Sequence, residues 1–140
     1  MTYSARFRCI AGCDGSYTLD DVIYRCPACG DLLEVSHDLD ALRARSAEQW
    51  KSLFAERWRS VDEPYGSGVW GKHEWVAPDL EPRHVVTMLE GCTHLTRVPK
   101  FAQRLGLGDV RVKQCGTSHS GSFKDLGMTV LVSRVAQMIA

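Results

Sequence analysis

Ser118-His119-Ser120-Gly121-Ser122-Phe123-Lys124-Asp125-Leu126-Gly127-Met128 is the stretch whose reading decides how this chain is understood. Small residues at Ser118, Ser120, Gly121 and Ser122 leave open space around one ammonium group. Ser122 followed three residues later by Asp125 has the capping-box pattern, which predicts a helix starting there with Lys124 in its first turn. The free amides and positive dipole end of a helix start disfavour a second positive charge, which favours the uncharged amine. An uncharged amine attacks an aldehyde, and Schiff-base formation with pyridoxal 5'-phosphate is the chemistry that needs such a lysine. The plainer alternative is an ordinary lysine at a helix start, since short motifs recur by chance.

Working outward, Leu126, Val130, Leu131, Val135 and Met138 make the following helix largely apolar, so it is expected to be buried. Upstream, Val110 to Gln114 reads as a strand and Cys115 to Gly121 as a loop. Strand, loop and helix then form one βα unit, the junction at which α/β enzymes bind ligands. Val98-Pro99 opens a helix running to Leu105 and stopping at Gly106, with proline in the first turn and glycine past the end. Of the histidines His37, His73, His84, His94 and His119, none has metal spacing. Only His119, five residues before Lys124, lies near the proposed chemistry, and it shows no acidic partner in sequence.

Cys9, Cys13, Cys26 and Cys29 form a second constellation, C-x3-C-x12-C-x2-C. Two close pairs separated by a hairpin's length suit a structural zinc ribbon, and Gly12 and Gly30 allow the tight knuckle turns. Unligated thiols are the competing reading. Four protein ligands would leave no open position, so such a zinc is structural rather than catalytic. Tyr17 to Leu19 and Val22 to Arg25 read as short strands between the pairs. Cys92 and Cys115 lack ligand spacing and read as buried thiols.

After the cysteines, Leu32 to Val35 reads as a strand and Asp38 to Ala44 as a short helix. Ser46 with Gln49 makes another capping box. Ala47, Trp50, Leu53, Phe54 and Trp58 follow at helical spacing, giving an apolar face expected to pack on the catalytic domain. Val61 to Pro82 has no clear period and reads as an ordered connecting segment. The expected division is 1–36 as a zinc-ribbon-like subdomain, 37–82 as a helical and connecting segment, and 83–140 as the first βα part of a catalytic domain.

The 140 residues carry 17 basic and 17 acidic side chains, a formal net charge of +0, and 44% hydrophobic residues. Mixed charge without a basic stripe argues against a nucleic-acid partner. No apolar run approaches the ~20 residues a membrane helix needs, so a cytoplasmic protein with no membrane contact is expected. In a reducing compartment, six cysteines point to metal ligation or free thiols rather than disulfides.

Several segments together carry a family resemblance: Ser-Tyr-Thr-Leu-Asp-Asp-Val-Ile-Tyr at 16–24, Pro-Tyr-Gly-Ser-Gly-Val-Trp at 64–70, Glu90-Gly91, Val-Lys-Gln-Cys-Gly at 112–116, and Gly-Ser-Phe-Lys-Asp-Leu-Gly-Met at 121–128. From Gly15 onward the chain resembles threonine synthase, and Leu126, where many enzymes of the fold carry arginine, is similar to the plant-type branch. The cysteine knuckle is instead similar to microbial members. The resemblance implies an α/β fold: zinc-ribbon-like β hairpins and helices, then the start of a tryptophan-synthase-β-like domain of pyridoxal-phosphate fold type II, incomplete in this chain. It implies conversion of O-phospho-L-homoserine and water to L-threonine and phosphate, with Lys124 as cofactor lysine and base. Phe123 would flank the cofactor, or serve as a core aromatic. A homodimer, and S-adenosylmethionine as effector, are implied as well. The family's downstream cofactor-contacting and glycine-rich phosphate segments have no counterpart after Lys124. The chain is therefore expected to be an N-terminal fragment, inactive alone. Alternatives are a non-catalytic zinc-ribbon module, or another enzyme of the fold such as cysteate synthase or threonine dehydratase.

Overall fold

A computed structural model describes residues 2–58, 60 and 64–140 and shows a mixed α/β chain. Strand β1 (Ala5–Cys9) alternates apolar residues with arginines. Ala5 and Cys9 are buried while Arg6 and Arg8 face solvent, the period of two that a strand imposes. It is the centre of an antiparallel sheet in the order β2-β1-β3, with β2 spanning Ser16–Tyr17 and β3 Leu33–His37. Cys9 sits opposite Leu33 and Phe7 opposite both Val35 and Tyr17.

Two strands expected between the cysteine pairs are corrected. The first shortens to Ser16–Tyr17, and Val22 to Arg25 forms no strand. Asp21 accepts the Thr18 amide at 2.7 Å and turns the chain, and with Val22 73% and Tyr24 84% exposed there is no apolar face for a strand to bury.

Asp38 caps α1 (Leu39–Arg43) by accepting from the amides of Asp40 and Ala41. The expected capping box opens α2 (Ala47–Arg57): Gln49 donates its amide to the Ser46 hydroxyl, and its side-chain oxygen accepts from the Ser46 amide at 2.8 Å. The apolar face of α2 packs through Trp50, whose ring meets Tyr3, Phe54 and Trp75 at centroid distances of 5.6, 5.5 and 5.4 Å. Its cover is therefore the N-terminus and α3 (His73–Val76), while Ala47 and Trp58 stay exposed.

The aperiodic segment expected as a connection supplies the buried core, although Val61, Asp62 and Glu63 lie outside the described residues. Trp70, Ala77 and Leu80 cluster there, with Val69, Val76, Val85 and Val130 packed against them. Gly68 lies against Gly91: its amide donates to the Glu90 carbonyl at 2.9 Å, and a side chain on Gly91 would begin 2.8 Å from the Gly68 Cα. Two of the segments carrying the family resemblance thus meet in space.

Strand β4 (Leu95–Arg97) pairs antiparallel with β5 (Arg111–Lys113), and α4 (Pro99–Arg104) lies between them in sequence, with Gly106 in the left-handed region at φ 66° as its position past the helix end demands. The last helix, α5, spans Asp125–Met138. Its burial differs from expectation. Thr129 and Ser133 are its buried residues, while Leu131, Val135 and Met138 are exposed. The backbone of residues 81–86 lacks strand partners, so α5 turns a polar stripe at 129, 133 and 137 onto it. The Val86 amide donates to the Ser133 hydroxyl at 2.8 Å, the Thr129 hydroxyl donates to the Val86 carbonyl at 2.7 Å, and the Glu81 amide donates to Gln137 at 2.8 Å. Arg134 adds a two-pronged ion pair to Asp79 and reaches Asp20 at 2.9 Å, tying α5 to the loop between the cysteine pairs.

Candidate functional site

Two glycine-turned knuckles bring four sulfurs together. In the first, the Gly12 amide donates to the Cys9 carbonyl at 3.1 Å; in the second, the Gly30 amide donates to the Cys26 carbonyl at 2.8 Å. Gly12 and Gly30 have φ of 82° and 77°, a region closed to most side chains. The Sγ atoms of Cys9, Cys13, Cys26 and Cys29 all lie within 4.8 Å of one another, and those of Cys9 and Cys29 are 3.5 Å apart. Tetrahedral zinc–thiolate bonds of about 2.3 Å separate the sulfurs by about 3.8 Å, so this set fits such an ion. A disulfide would need about 2.05 Å, and all four cysteines are free.

The knuckles also bias ionisation. Amides of Cys29 and Ala28 aimed at Cys26 hold its thiol down at about 7. Hydrogen bonding of its thiol to Cys29, then to Cys9 and Cys26, pushes Cys13 up to about 12. The Cys26 thiolate forms readily and that of Cys13 is opposed by its neighbours, an opposition that a divalent cation removes.

At the other constellation Lys124 occupies the cap position before α5, with helical backbone angles, rather than a place inside the first turn. The expected capping box does not form. Ser122 instead accepts the Lys124 amide at 3.2 Å, and Asp125 turns back to the preceding loop. There its Oδ2 accepts from the Ser118 hydroxyl at 2.5 Å and the Ser120 amide at 3.1 Å, and its Oδ1 accepts from the Ser120 hydroxyl at 2.5 Å. Hydrogen bonds from Ser118 and then Ser120 hold the Asp125 carboxyl below its ordinary value of 3.8. His119 lies with Nδ1 3.8 Å from Asp125, an acidic partner that the sequence spacing did not disclose.

The Lys124 side chain is exposed and, among the described residues, its amine makes no hydrogen bond or ion pair. Phe123 beside it is 65% exposed. Apart from chain neighbours and the helix's own backbone, nothing lies within 4 Å of where a side chain would begin at Gly121 or Gly127, which leaves open space on either side of the lysine in sequence. Behind the loop is a cavity of about 150 Å³ between residues 86–90 and α5, walled by Val86, Met88, Glu90, His119, Asp125 and Met128; Lys124 is outside that wall. Glu90 is 3% exposed, its Oε2 accepting from the Thr87 hydroxyl and the Met88 amide. Sequence reasoning had Glu90 only as part of a family segment. Its burial follows from the Gly68–Gly91 contact, which no local pattern signals. Cys92 and Cys115, expected buried, are each half-buried.

A cluster of four cysteines that could hold a metal and an open lysine at a helix start thus define a mixed α/β chain with two separate sites. No family model matches it. Threonine synthase 2, chloroplastic, of Arabidopsis thaliana is 47% identical over 124 residues, 88% of this chain and 24% of its own length. The threonine synthase of Methanocaldococcus jannaschii is 34% identical over 131 residues, 94% of this chain and 29% of its own length. That of Methanosarcina acetivorans is 31% identical over 131 residues, 94% of this chain and 28% of its own. The chain belongs to the threonine synthases and corresponds to an N-terminal part of one; it spans about a quarter of the length of these relatives.

Proposed function

We propose that this chain is the part of a threonine synthase that supplies the cofactor lysine, within a lyase of pyridoxal-phosphate fold type II. The complete protein would convert O-phospho-L-homoserine and water to L-threonine and phosphate. The observation that carries this reading is Lys124, exposed and free of ion pairs among the described residues, in a chain 47% identical to a chloroplastic threonine synthase. Open space at Gly121 and Gly127 fits a planar aldehyde approaching the amine.

Lys124 would hold pyridoxal 5'-phosphate through its amine, with Phe123 alongside. Once bound, that group supplies an electron sink for the charge left when the α-proton is removed. Lys124 is the base that takes the α-proton and moves protons at the α- and β-carbons, while phosphate leaves from the γ-carbon and water adds at the β-carbon. The four cysteines would hold zinc as a structural staple.

The division at 1–36, 37–82 and 83–140, a cytoplasmic homodimer, activation by S-adenosylmethionine and inactivity of the isolated 140 residues belong to the same proposal. For membranes the structure says only that no helix among the described residues is long and apolar enough to cross one. The reading is tested in a protein extended along its reading frame through a complete catalytic domain. Release of phosphate from O-phospho-L-homoserine is expected, and Lys124→Ala should abolish turnover and the cofactor's visible absorbance. Colour and turnover retained in that variant would overturn it.

The sulfur cluster favours a second reading, a metal-binding module without catalysis. Zinc content together with an absence of visible absorbance in the extended protein would favour it over the enzyme.

A further inference from the structure

We propose that Asp125 is a positioning residue: its carboxylate gathers Ser118 and Ser120 into a fixed loop, and thereby holds Lys124 turned to the open side of the helix start. The proposal rests on Lys124 being the cofactor lysine.

Four groups converge on this carboxylate. Both serine hydroxyls and the Ser120 amide donate to it, and His119 stands 3.8 Å away. The loop has little else to fix it. Its internal bonds are the Gly121 amide to the Ser118 carbonyl at 2.9 Å, and the amide and hydroxyl of Thr117 to the Gln114 carbonyl. Gly121, at φ 76°, adds freedom rather than restraint.

Successive residues at a helix start project about 100° apart. The Asp125 side chain is 11% exposed and walls the cavity, whereas Lys124 is exposed. Fixing the first inward fixes the second outward. A carboxylate in the first turn of a 14-residue helix is also favoured by the helix dipole, so the anchor stays ionised. Loss of the anchor leaves two hydroxyls and an amide without their acceptor, and the amine then samples many directions.

Asp125→Ala tests this, because it removes the acceptor oxygens of both serine hydroxyls and of the Ser120 amide together. Two readouts are taken on the protein extended through a complete catalytic domain: amide hydrogen exchange at Ser120, and borohydride trapping of pyridoxal 5'-phosphate on lysines, located by peptide mass. Lys51 and Lys100, both exposed, are internal references. Exchange at Ser120 is expected to quicken about tenfold or more. Trapping at Lys124 relative to the references should fall several-fold, and Asp125→Glu should recover part of both. Unchanged exchange and trapping in Asp125→Ala would overturn the proposal. If that variant loses protection throughout the chain, Ser118→Ala with Ser120→Ala decides instead: it leaves the acid in place and is expected to reduce Lys124 trapping, and unchanged trapping overturns the proposal. Failure of the underlying reading looks different. In that case Lys124 of the unaltered chain takes no more label than Lys51 and Lys100, and the positioning role falls with it even where Ser120 exchange responds.

Discussion

The indole N–H of Trp70 donates to the hydroxyl of Thr129 at 2.8 Å, joining residues 59 apart in sequence. Trp70 is 0% and Thr129 6% exposed, and the Thr129 hydroxyl in turn donates to the Val86 carbonyl. One small hydroxyl therefore satisfies a buried donor and a partly buried carbonyl, and fastens the core segment to the helix that follows Lys124. Thr129→Val keeps the shape and removes both bonds. It should cost about 1–3 kcal/mol, read as a lower urea midpoint with an unchanged slope.

Arg57 and Glu74 form a second fastening, with two charge-assisted bonds of 2.8 and 2.9 Å and side chains only 18% and 13% exposed. Burial alone would raise the Glu74 carboxyl, but hydrogen bonding and charge from Arg57 outweigh it and hold the group below its ordinary value of 4.5. A carboxyl lowered on folding stabilises fully above its unfolded value, and that contribution disappears as pH falls through the folded value. Stability should therefore decline below about pH 4.5, and Glu74→Gln should flatten that part of the curve while costing about 1–3 kcal/mol at neutral pH. Urea midpoints across the acid range measure both.

Gly68 and Gly91 press backbone on backbone. A Cβ on Gly68 would meet the Cys92 nitrogen, and one on Gly91 would sit 2.8 Å from the Gly68 Cα at a φ of 93°. Neither obstacle is the end of a flexible side chain. Gly91→Ala should destabilise by about 1–3 kcal/mol, and Gly68→Ala by at least as much, whereas Gly108→Ala, which meets nothing within 4 Å, should be nearly neutral. Thermal midpoints of the three variants give the comparison.

Metal removal should act locally. The chain purified with zinc present is expected to hold a single ion in the Cys9, Cys13, Cys26 and Cys29 set, and Cys26→Ala to lose it by elemental analysis. A chelator should quicken amide exchange at Gly12 and Gly30, where the knuckle turns close, well before it does so at Trp70. Equal exchange with and without chelator would count against a bound ion.

Much of the local structure was legible because local signals are self-contained. Ser46 and Gln49 satisfy each other's amides within one turn, and Pro99 with Gly106 brackets α4 by backbone preference alone. The cysteine spacing foretold the sulfur cluster, since two knuckles leave few other arrangements. Ser122 and Asp125 misled because a capping box competes with any better set of donors, and the loop at 118–120 offered one. Trp70 and Leu80 escaped notice because an aperiodic core segment carries no period to detect.

Sequence alone determined the cysteine quartet, the helix limits that depend on caps and glycines, and membership of the threonine synthases through Lys124 and its flanking segments. Each of these rests on residue types at short spacing, where chain geometry leaves little freedom. Tertiary structure alone decided that Trp70 reaches Thr129, that Gly68 lies on Gly91, that α5 buries Thr129 and Ser133 while Leu131 and Val135 stay exposed, and that Asp125 serves the loop. Those outcomes depend on which distant backbone groups need a partner, a question answered only once the chain has folded back on itself.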